Sequence, residues 1–179
     1  MRQIALSIWG PYGPVSNSES EFGVEIGAEK QNLWDQRFLA LSNHISQWTE
    51  DRNFKVGAVI VGPALEIRST GYNGLPRGVK DDDDSRFDRT SGEKFFWFEH
   101  AERNAIYNAA RAGVPVGGCT IYVNRFPCSD CARSIIQSGI SRVCCPAKPE
   151  FDGALDHSFD VSEIMLGEAG VRVDIIAPE

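Results

Sequence analysis

The sequence HAERNAIYNAARAGVPVGGCTIYVNRFPCSDC, residues 100–131, contains a helix, a strand and the start of a second helix in a short span. Small apolar residues recur on one narrow face of residues 100–113, which predicts a helix that can lie close to a sheet. The short apolar run 119–123 predicts a strand, and Pro127 occupies the kind of position at which helices begin. Helices that alternate with strands favour an α/β fold.

Three residues of this stretch, His100, Cys128 and Cys131, are good metal ligands. Cys128 and Cys131 are predicted to lie in the first turn of one helix, so their side chains share a face. The amides of a helix N-terminus favour the thiolate, which is the form of cysteine that binds metal. Catalytic zinc takes three protein ligands and leaves a fourth position for water, so one imidazole and two thiols suit a catalytic zinc site.

Glu102 is the candidate catalytic residue beside this metal. Residues two apart do not share a regular helical face, but in the first turn His100 and Glu102 can both turn toward the space beyond the helix end. The carboxylate can take a proton from a zinc-activated water and deliver it to a ring nitrogen and a leaving amine. The pattern H-x-E with P-C-x-x-C is that of the zinc nucleobase deaminases. A structural zinc site and a thiol redox pair remain as alternatives.

The rest of the chain predicts further alternating elements around this core. Apolar residues at helical spacing predict a helix over 29–50, and two short apolar runs, 56–61 and 67–72, predict a hairpin of strands. Strands separated by helices imply parallel neighbours and a three-layer α/β domain. The remaining predictions are a loop over 71–78, a long binding loop or lid over 79–97, strands over 140–145 and 171–176, and a helix near 160–168.

We expect two regions, an irregular arm over 1–28 and a zinc-dependent deaminase domain over 29–179. The arm is rich in Gly, Pro, Ser and Asn and shows no sustained periodicity, and plain disorder is the alternative. The first apolar stretch is too short for a signal peptide, and the chain has no apolar run long enough to cross a membrane. We therefore expect a cytoplasmic protein with no membrane partner.

Charge and cysteine content narrow the classes of partner. The chain has 18 Lys and Arg against 25 Asp and Glu, and this acidic balance argues against a polynucleotide partner. Its five cysteines are an odd set, which does not suit a disulfide framework. Cys119, Cys144 and Cys145 lie on predicted strands, where cysteine behaves as a small buried hydrophobe.

The segment from Trp34 to about Val143 resembles the deoxycytidylate deaminases, within the cytidine deaminase superfamily. The zinc motifs are shared across the superfamily, whereas the Gly-Tyr-Asn-Gly loop points to deoxycytidylate (dCMP). The resemblance rests on KVGAVIV (55–61), GYNGLPRG (71–78), HAERNAI (100–106), CTIYV (119–123) and FPCSDCA (126–132).

The resemblance implies a mixed five-stranded sheet between helices in an α-β-α sandwich, with zinc as cofactor. It implies the conversion of dCMP and water to dUMP and ammonia, and a homo-oligomer, either a dimer or a hexamer. Asn73 and Gly74 would contact the nucleotide, and the Ala101 backbone would face the base. Tyr122 or Phe126 would pack against the base, with simple core packing as the alternative.

Two positions depart from the pattern of the family. Arg103 follows the H-A-E motif where many relatives carry an apolar residue, and Arg125 stands where an uncharged residue is expected. These departures leave open a deaminase of the same fold that acts on cytidine, deoxycytidine, guanine or tRNA adenosine, and a non-catalytic zinc protein. Available cations for a phosphate are Arg52, Lys55, Arg77, Lys80 and Arg86, each of which is otherwise an ordinary surface charge.

Overall fold

The computed structural model describes residues 27–177, so the predicted arm over 1–28 lies outside the described residues except for its last two. None of the helices within this range is both long and apolar enough to span a bilayer. The helices are α1 (Ala28–Ser46), a 3₁₀ turn (Asp84–Phe87), α2 (Lys94–Trp97), α3 (Ala101–Ala112), α4 (Ser129–Gln137) and α5 (Asp156–Glu168). The strands are β1 (Gly57–Val61), β2 (Ile67–Tyr72), β3 (Thr120–Val123), β4 (Arg142–Cys145) and β5 (Arg172–Ile175).

The five strands form one mixed sheet in the order β2-β1-β3-β4-β5. β1 is antiparallel to both β2 and β3, whereas β3, β4 and β5 are mutually parallel. The predicted hairpin is therefore confirmed, and so is the mixed five-stranded sheet. The predicted parallel neighbours occur in β3 to β5, whereas β1 and β3 are antiparallel neighbours.

Helices cover both faces of the sheet, which gives the three layers that the sequence predicts. Alternation along β1 sends Val59 and Val61 toward α1, and sends Ala58 and Ile60 toward the opposite face. On that opposite face, α3, α4 and α5 pack through small and apolar side chains. Every residue of β1 is buried, as a strand covered on both faces requires.

Helix α1 is shorter than the predicted 29–50, because it ends at Ser46. The amides of Gln47 and Trp48 donate to the carbonyls of His44 and Ile45, three residues back, so the chain tightens into turns. Trp48 is consequently half exposed, and does not continue the buried stripe.

A buried ionic network ties α1 to the sheet. Asp35 of α1 accepts a hydrogen bond from the Tyr122 hydroxyl at 2.7 Å, and Arg142 Nη2 donates to Asp35 Oδ2 at 2.7 Å. Burial opposes ionisation of this carboxyl, but the hydrogen bonds from Arg142 and Tyr122 lower the pKa of Asp35. Removing one partner would leave a buried charge without compensation, so this network fixes how α1 sits on β3 and β4.

Helix α3, which carries the first metal motif, lies very close to β2. Asn104 Nδ2 donates to the Tyr72 carbonyl at 2.8 Å, and Asn108 Nδ2 donates to the Thr70 carbonyl at 2.7 Å. A Cβ atom on Gly71 would collide with the backbone of Ala101 and Ala105. Glycine at this strand position therefore permits the approach that places the start of α3.

We predict that Gly71→Ala destabilises the protein and displaces the start of α3. The added methyl would collide with backbone atoms, which cannot move aside as a flexible side chain can. Overpacking of this kind lowers the free energy of unfolding by about 1–3 kcal/mol. Urea denaturation would measure the free energy of unfolding, with Gly117→Ala as the control because its new Cβ meets no atom within 4 Å. Equal stability of the two variants would contradict the close-packing account.

Candidate active site

Three metal-binding side chains meet where α3 and α4 begin. His100 is the N-cap of α3, Cys128 is the N-cap of α4, and Cys131 lies in the first turn of α4. His100 Nδ1 is 3.3 Å from Cys128 Sγ and 3.4 Å from Cys131 Sγ, and the two sulfurs are 3.6 Å apart. Among the described residues, this is the one group of three or more His, Cys, Asp and Glu side chains close enough to hold a metal ion.

These distances fit a tetrahedral zinc ion. Zinc bonds of ~2.3 Å to sulfur and ~2.0–2.1 Å to nitrogen place neighbouring ligand atoms about 3.6–3.8 Å apart in a tetrahedron. The three measured separations are within a few tenths of an ångström of that value. Both thiols are free rather than joined in a disulfide, so both can coordinate the ion.

The surroundings of the two sulfurs favour the thiolate of Cys128 and the neutral thiol of Cys131 when no metal is bound. The hydrogen bond with Cys131, together with that from His100, lowers the pKa of Cys128 to about 4, while burial raises the pKa of Cys131. Arg103 pairs with Glu99 on the adjacent turn. Burial opposes the charge of Arg103, but the neighbouring Cys131 and Glu99 raise its pKa, so a cation stays beside the thiols.

Glu102 lines the same cavity as His100 and Cys128, as its predicted role requires. Its side chain is buried, with 3% of the residue exposed. Burial raises the pKa of the Glu102 carboxyl, and the charge of His100 opposes that rise. A carboxyl whose pKa is moved toward neutrality is suited to accept and return a proton during one turnover.

The cavity beside Glu102 has an aromatic wall and a cationic rim. Phe126 and Ala101, both predicted to face the substrate, line this cavity. The Phe126 ring meets the Phe159 ring edge-on, with the two ring centroids 6.1 Å apart. The other aromatic lining residues are Phe54, Phe95 and Phe98, and the cationic ones are Arg89, Lys94 and Arg125.

Asn73 also lines the cavity, but its side chain is committed to the neighbouring loop. Its Nδ2 donates to Asp51 Oδ2 at 3.1 Å and to the Phe54 carbonyl at 2.8 Å, and its Oδ1 accepts from the Val56 amide at 2.8 Å. Both amide protons are used, so one lone pair of the oxygen is left for a ligand. In this structure Asn73 positions the wall of the cavity that carries Phe54.

Two of the predicted substrate contacts lie elsewhere. Gly74 is not among the described residues that line the cavity, and its amide and carbonyl form a two-way backbone bridge with Glu99. Tyr122 lies on the opposite face of the sheet, in the cluster with Phe38, and its hydroxyl donates to Asp35. A role for Tyr122 against the base is wrong, since neighbouring residues of a strand point to opposite faces.

The cations at the cavity are not those that the sequence suggested. Of the described residues, the lining includes none of the five surface candidates; Arg77, for example, donates to Asn108 at 2.6 Å. Arg89 and Lys94 come from the excursion over 79–97, whose predicted binding role this placement supports. The sequence did indicate that Arg125 is unusual, since it stands where the deoxycytidylate deaminases are expected to carry an uncharged residue.

A family comparison agrees with this geometry. The model of the family described as the cytidine and deoxycytidylate deaminase zinc-binding region matches residues 32–147. The chain belongs to this family. Because the family is a zinc-binding one, zinc is the cofactor, and His100, Cys128 and Cys131 are positioned as a possible site for it.

Individual members of the cytidine and deoxycytidylate deaminase family differ in how much of the chain they match. A protein of Aliivibrio fischeri named an uncharacterized deaminase in the luxG 3′ region is 40% identical over 141 residues, covering 78% of this chain and 91% of that protein. Human deoxycytidylate deaminase is 40% identical over 114 residues, covering 62% of each protein. The chain thus spans about three fifths of the human enzyme.

A solved structure of the same fold confirms the cytidine deaminase-like architecture. The dCMP deaminase of cyanophage S-TIM5, in complex with dCMP and dUMP, aligns with a TM-score of 0.64. The alignment covers 85% of this chain and all of that one, at 23% identity. At 23% sequence identity, this similarity shows a shared fold and does not assign a function.

We predict that Cys131→Ser lowers the zinc content of the purified protein well below one ion per chain. A neutral hydroxyl is a poor replacement for a thiolate ligand. Elemental analysis would measure the metal, with Cys119→Ala as the control because Cys119 is buried away from the ligand cluster. Equal zinc in the two variants would contradict the assigned ligand set.

Proposed function

We propose that the chain is a hydrolytic deaminase that converts dCMP and water to dUMP and ammonia, and that residues 29–179 form its deaminase domain. One observation carries this proposal. His100 and Cys128, the proposed zinc ligands, line a single cavity together with the buried carboxyl of Glu102. A hydrolytic deaminase needs an activated water and a proton carrier at the same place.

Glu102 is the residue that moves protons in the proposed reaction. When bound, zinc lowers the pKa of water to about 7 and so makes a nucleophile available at neutral pH. The Glu102 carboxylate takes a proton from the water that adds to carbon 4 of the cytosine ring, and it delivers this proton to the adjacent ring nitrogen. The second proton of the water goes by the same carboxylate to the amino group, the carbon–nitrogen bond breaks, and ammonia leaves.

The walls of the cavity suit a flat base that carries a phosphate. Phe126 and Ala101 line the cavity, which supports their contact with the ring, and Asn73 holds the wall that carries Phe54. Aromatic side chains provide stacking surfaces for bases, and the cationic rim provides charge for an anion. Several of the relatives of this chain are named deoxycytidylate deaminases, which favours dCMP over other cytosine compounds.

Compartment and assembly are proposed on other grounds. All five cysteines are buried and free, which fits the reducing conditions of the cytoplasm. A homo-oligomer, either a dimer or a hexamer, is proposed on the resemblance to the deoxycytidylate deaminases. Analytical ultracentrifugation would give the mass, and a monomer at micromolar concentration would contradict the oligomer.

We predict that dCMP is the preferred substrate in a panel with deoxycytidine, cytidine, CMP, guanine and tRNA. Ammonia release would be followed for each compound under the same conditions. The cationic rim should favour the nucleotide over the nucleoside, and the acidic chain should bind tRNA poorly. Turnover of another compound in the panel with none on dCMP would assign the chain to that substrate instead.

We predict that Glu102→Gln keeps its zinc but loses turnover of dCMP by several orders of magnitude. The amide preserves the shape of the side chain but cannot carry the proton. Elemental analysis and ammonia release would be measured on the same sample. Unchanged turnover would contradict the proton-carrier role and favour a protein that binds zinc without catalysis.

A further inference from the structure

Two arginines at the cavity share a single buried carboxylate. Arg89 Nη2 donates to Oδ1 of Asp152, and Arg125 Nη2 donates to Oδ2 of the same residue. The Asp152 side chain is 4% exposed, whereas those of Arg89 and Arg125 are 22% and 30% exposed. Both arginines line the cavity that contains Glu102.

An aromatic ring helps to hold the two guanidinium groups in place. The Cζ atoms of Arg89 and Arg125 lie 4.1 Å and 5.4 Å from the centre of the Phe54 ring. Two cations so close to one another repel, and one carboxylate compensates for only one of them. The third cation of the rim, Lys94, is paired with Asp51 and does not share Asp152. A positive charge therefore remains between Arg89 and Arg125.

The backbone at Asp152 is hydrogen-bonded to the first residue of α5. The carboxylate of Asp156 accepts the amide of Asp152 at 2.7 Å and that of Gly153 at 3.1 Å. Asp152 itself is not among the described residues that line the cavity. Each guanidinium has five N–H donors, so several remain for an anion in the cavity.

We propose that Arg89 and Arg125 form a clamp for the phosphate of a nucleoside monophosphate, and that Asp152 is the positioning residue that holds the clamp in shape. This inference rests on the proposed function and names the part of the site that distinguishes a nucleotide from a nucleoside. Guanidinium groups match the spacing of phosphate oxygens and bind them by charge-assisted hydrogen bonds. Arg125 replaces an uncharged residue of the family pattern, so the clamp belongs to this chain rather than to the zinc motif.

Binding of the product and its nucleoside tests the clamp without relying on catalysis. Titration calorimetry would compare dUMP with deoxyuridine on the zinc-loaded protein. The wild type should bind dUMP about a hundredfold more tightly, since two charge-assisted contacts are made to the phosphate alone. Arg89→Gln and Arg125→Gln should each weaken dUMP binding by about tenfold or more and leave deoxyuridine binding unchanged. Arg172→Gln is the matched control, because Arg172 is an exposed arginine of β5 that does not line the cavity.

Inorganic phosphate supplies a test that needs no variant. At millimolar concentration it should compete with dUMP for the wild-type protein and should not affect deoxyuridine binding. Asp152→Asn should raise the KM for dCMP about tenfold while kcat changes by less than about twofold, because only the placement of the clamp is disturbed. Asp160→Asn is its control, since Asp160 pairs with Lys148 on the surface.

Each outcome decides between the clamp and a merely structural ion pair. Equal affinity of the wild type for dUMP and deoxyuridine, no competition by phosphate, or equal loss of both ligands in the arginine variants would overturn the clamp. If the wild type deaminates none of the cytosine compounds but still prefers dUMP to deoxyuridine, the proposed function fails and the clamp stands. If dCMP is deaminated and the arginine variants behave like Arg172→Gln, the clamp fails and the proposed function stands.

Discussion

One imidazole nitrogen and two sulfurs must meet within bonding range of a single ion, and the rest of the structure serves this requirement. The three atoms come from the starts of two helices, α3 and α4, that lie on the same face of the sheet. Both thiols lie at the start of α4, where the helix amides favour the charged form that binds metal. The placement of α3 depends in turn on Gly71, whose missing side chain lets the helix lie against β2.

Buried charge is used differently on the two faces of the sheet. On the face covered by α1, Asp35 is surrounded by Arg142 and Tyr122, so its charge is compensated and its role is to hold the helix. On the other face, burial keeps the pKa of Glu102 raised, and its carboxyl faces the cavity beside the ligands. The first arrangement stabilises an ion in place, whereas the second leaves a carboxyl free to exchange a proton.

The parts of the site that the sequence predicted are those whose chemistry is local. His100, Glu102 and the two cysteines carry ligand and proton-transfer chemistry at predicted helix starts, so residue type and spacing indicated both the metal and the fold. The wrong prediction for Tyr122 could have been avoided from the same pattern. Ile121 and Val123 face the catalytic side of β3, so strand alternation turns Tyr122 to the opposite face.

The parts that were missed depend on contacts between distant segments. The long loop that carries Arg89 and Lys94 has no periodicity, so nothing in its sequence indicated which of its cations would reach the cavity. Asn73 does line the cavity, but its hydrogen-bond partners Asp51 and Phe54 belong to another loop that only the fold brings near, so the sequence did not indicate them. Polar networks of this kind are set by tertiary packing rather than by residue preference.

X-ray absorption at the zinc edge of the purified protein tests the central arrangement most directly, because it reports the atoms bonded to the ion. The account predicts two sulfur neighbours at about 2.3 Å and two nitrogen or oxygen neighbours at about 2.0–2.1 Å, of which one is the imidazole of His100. A first shell of four sulfurs, or one that contains no sulfur, would contradict it.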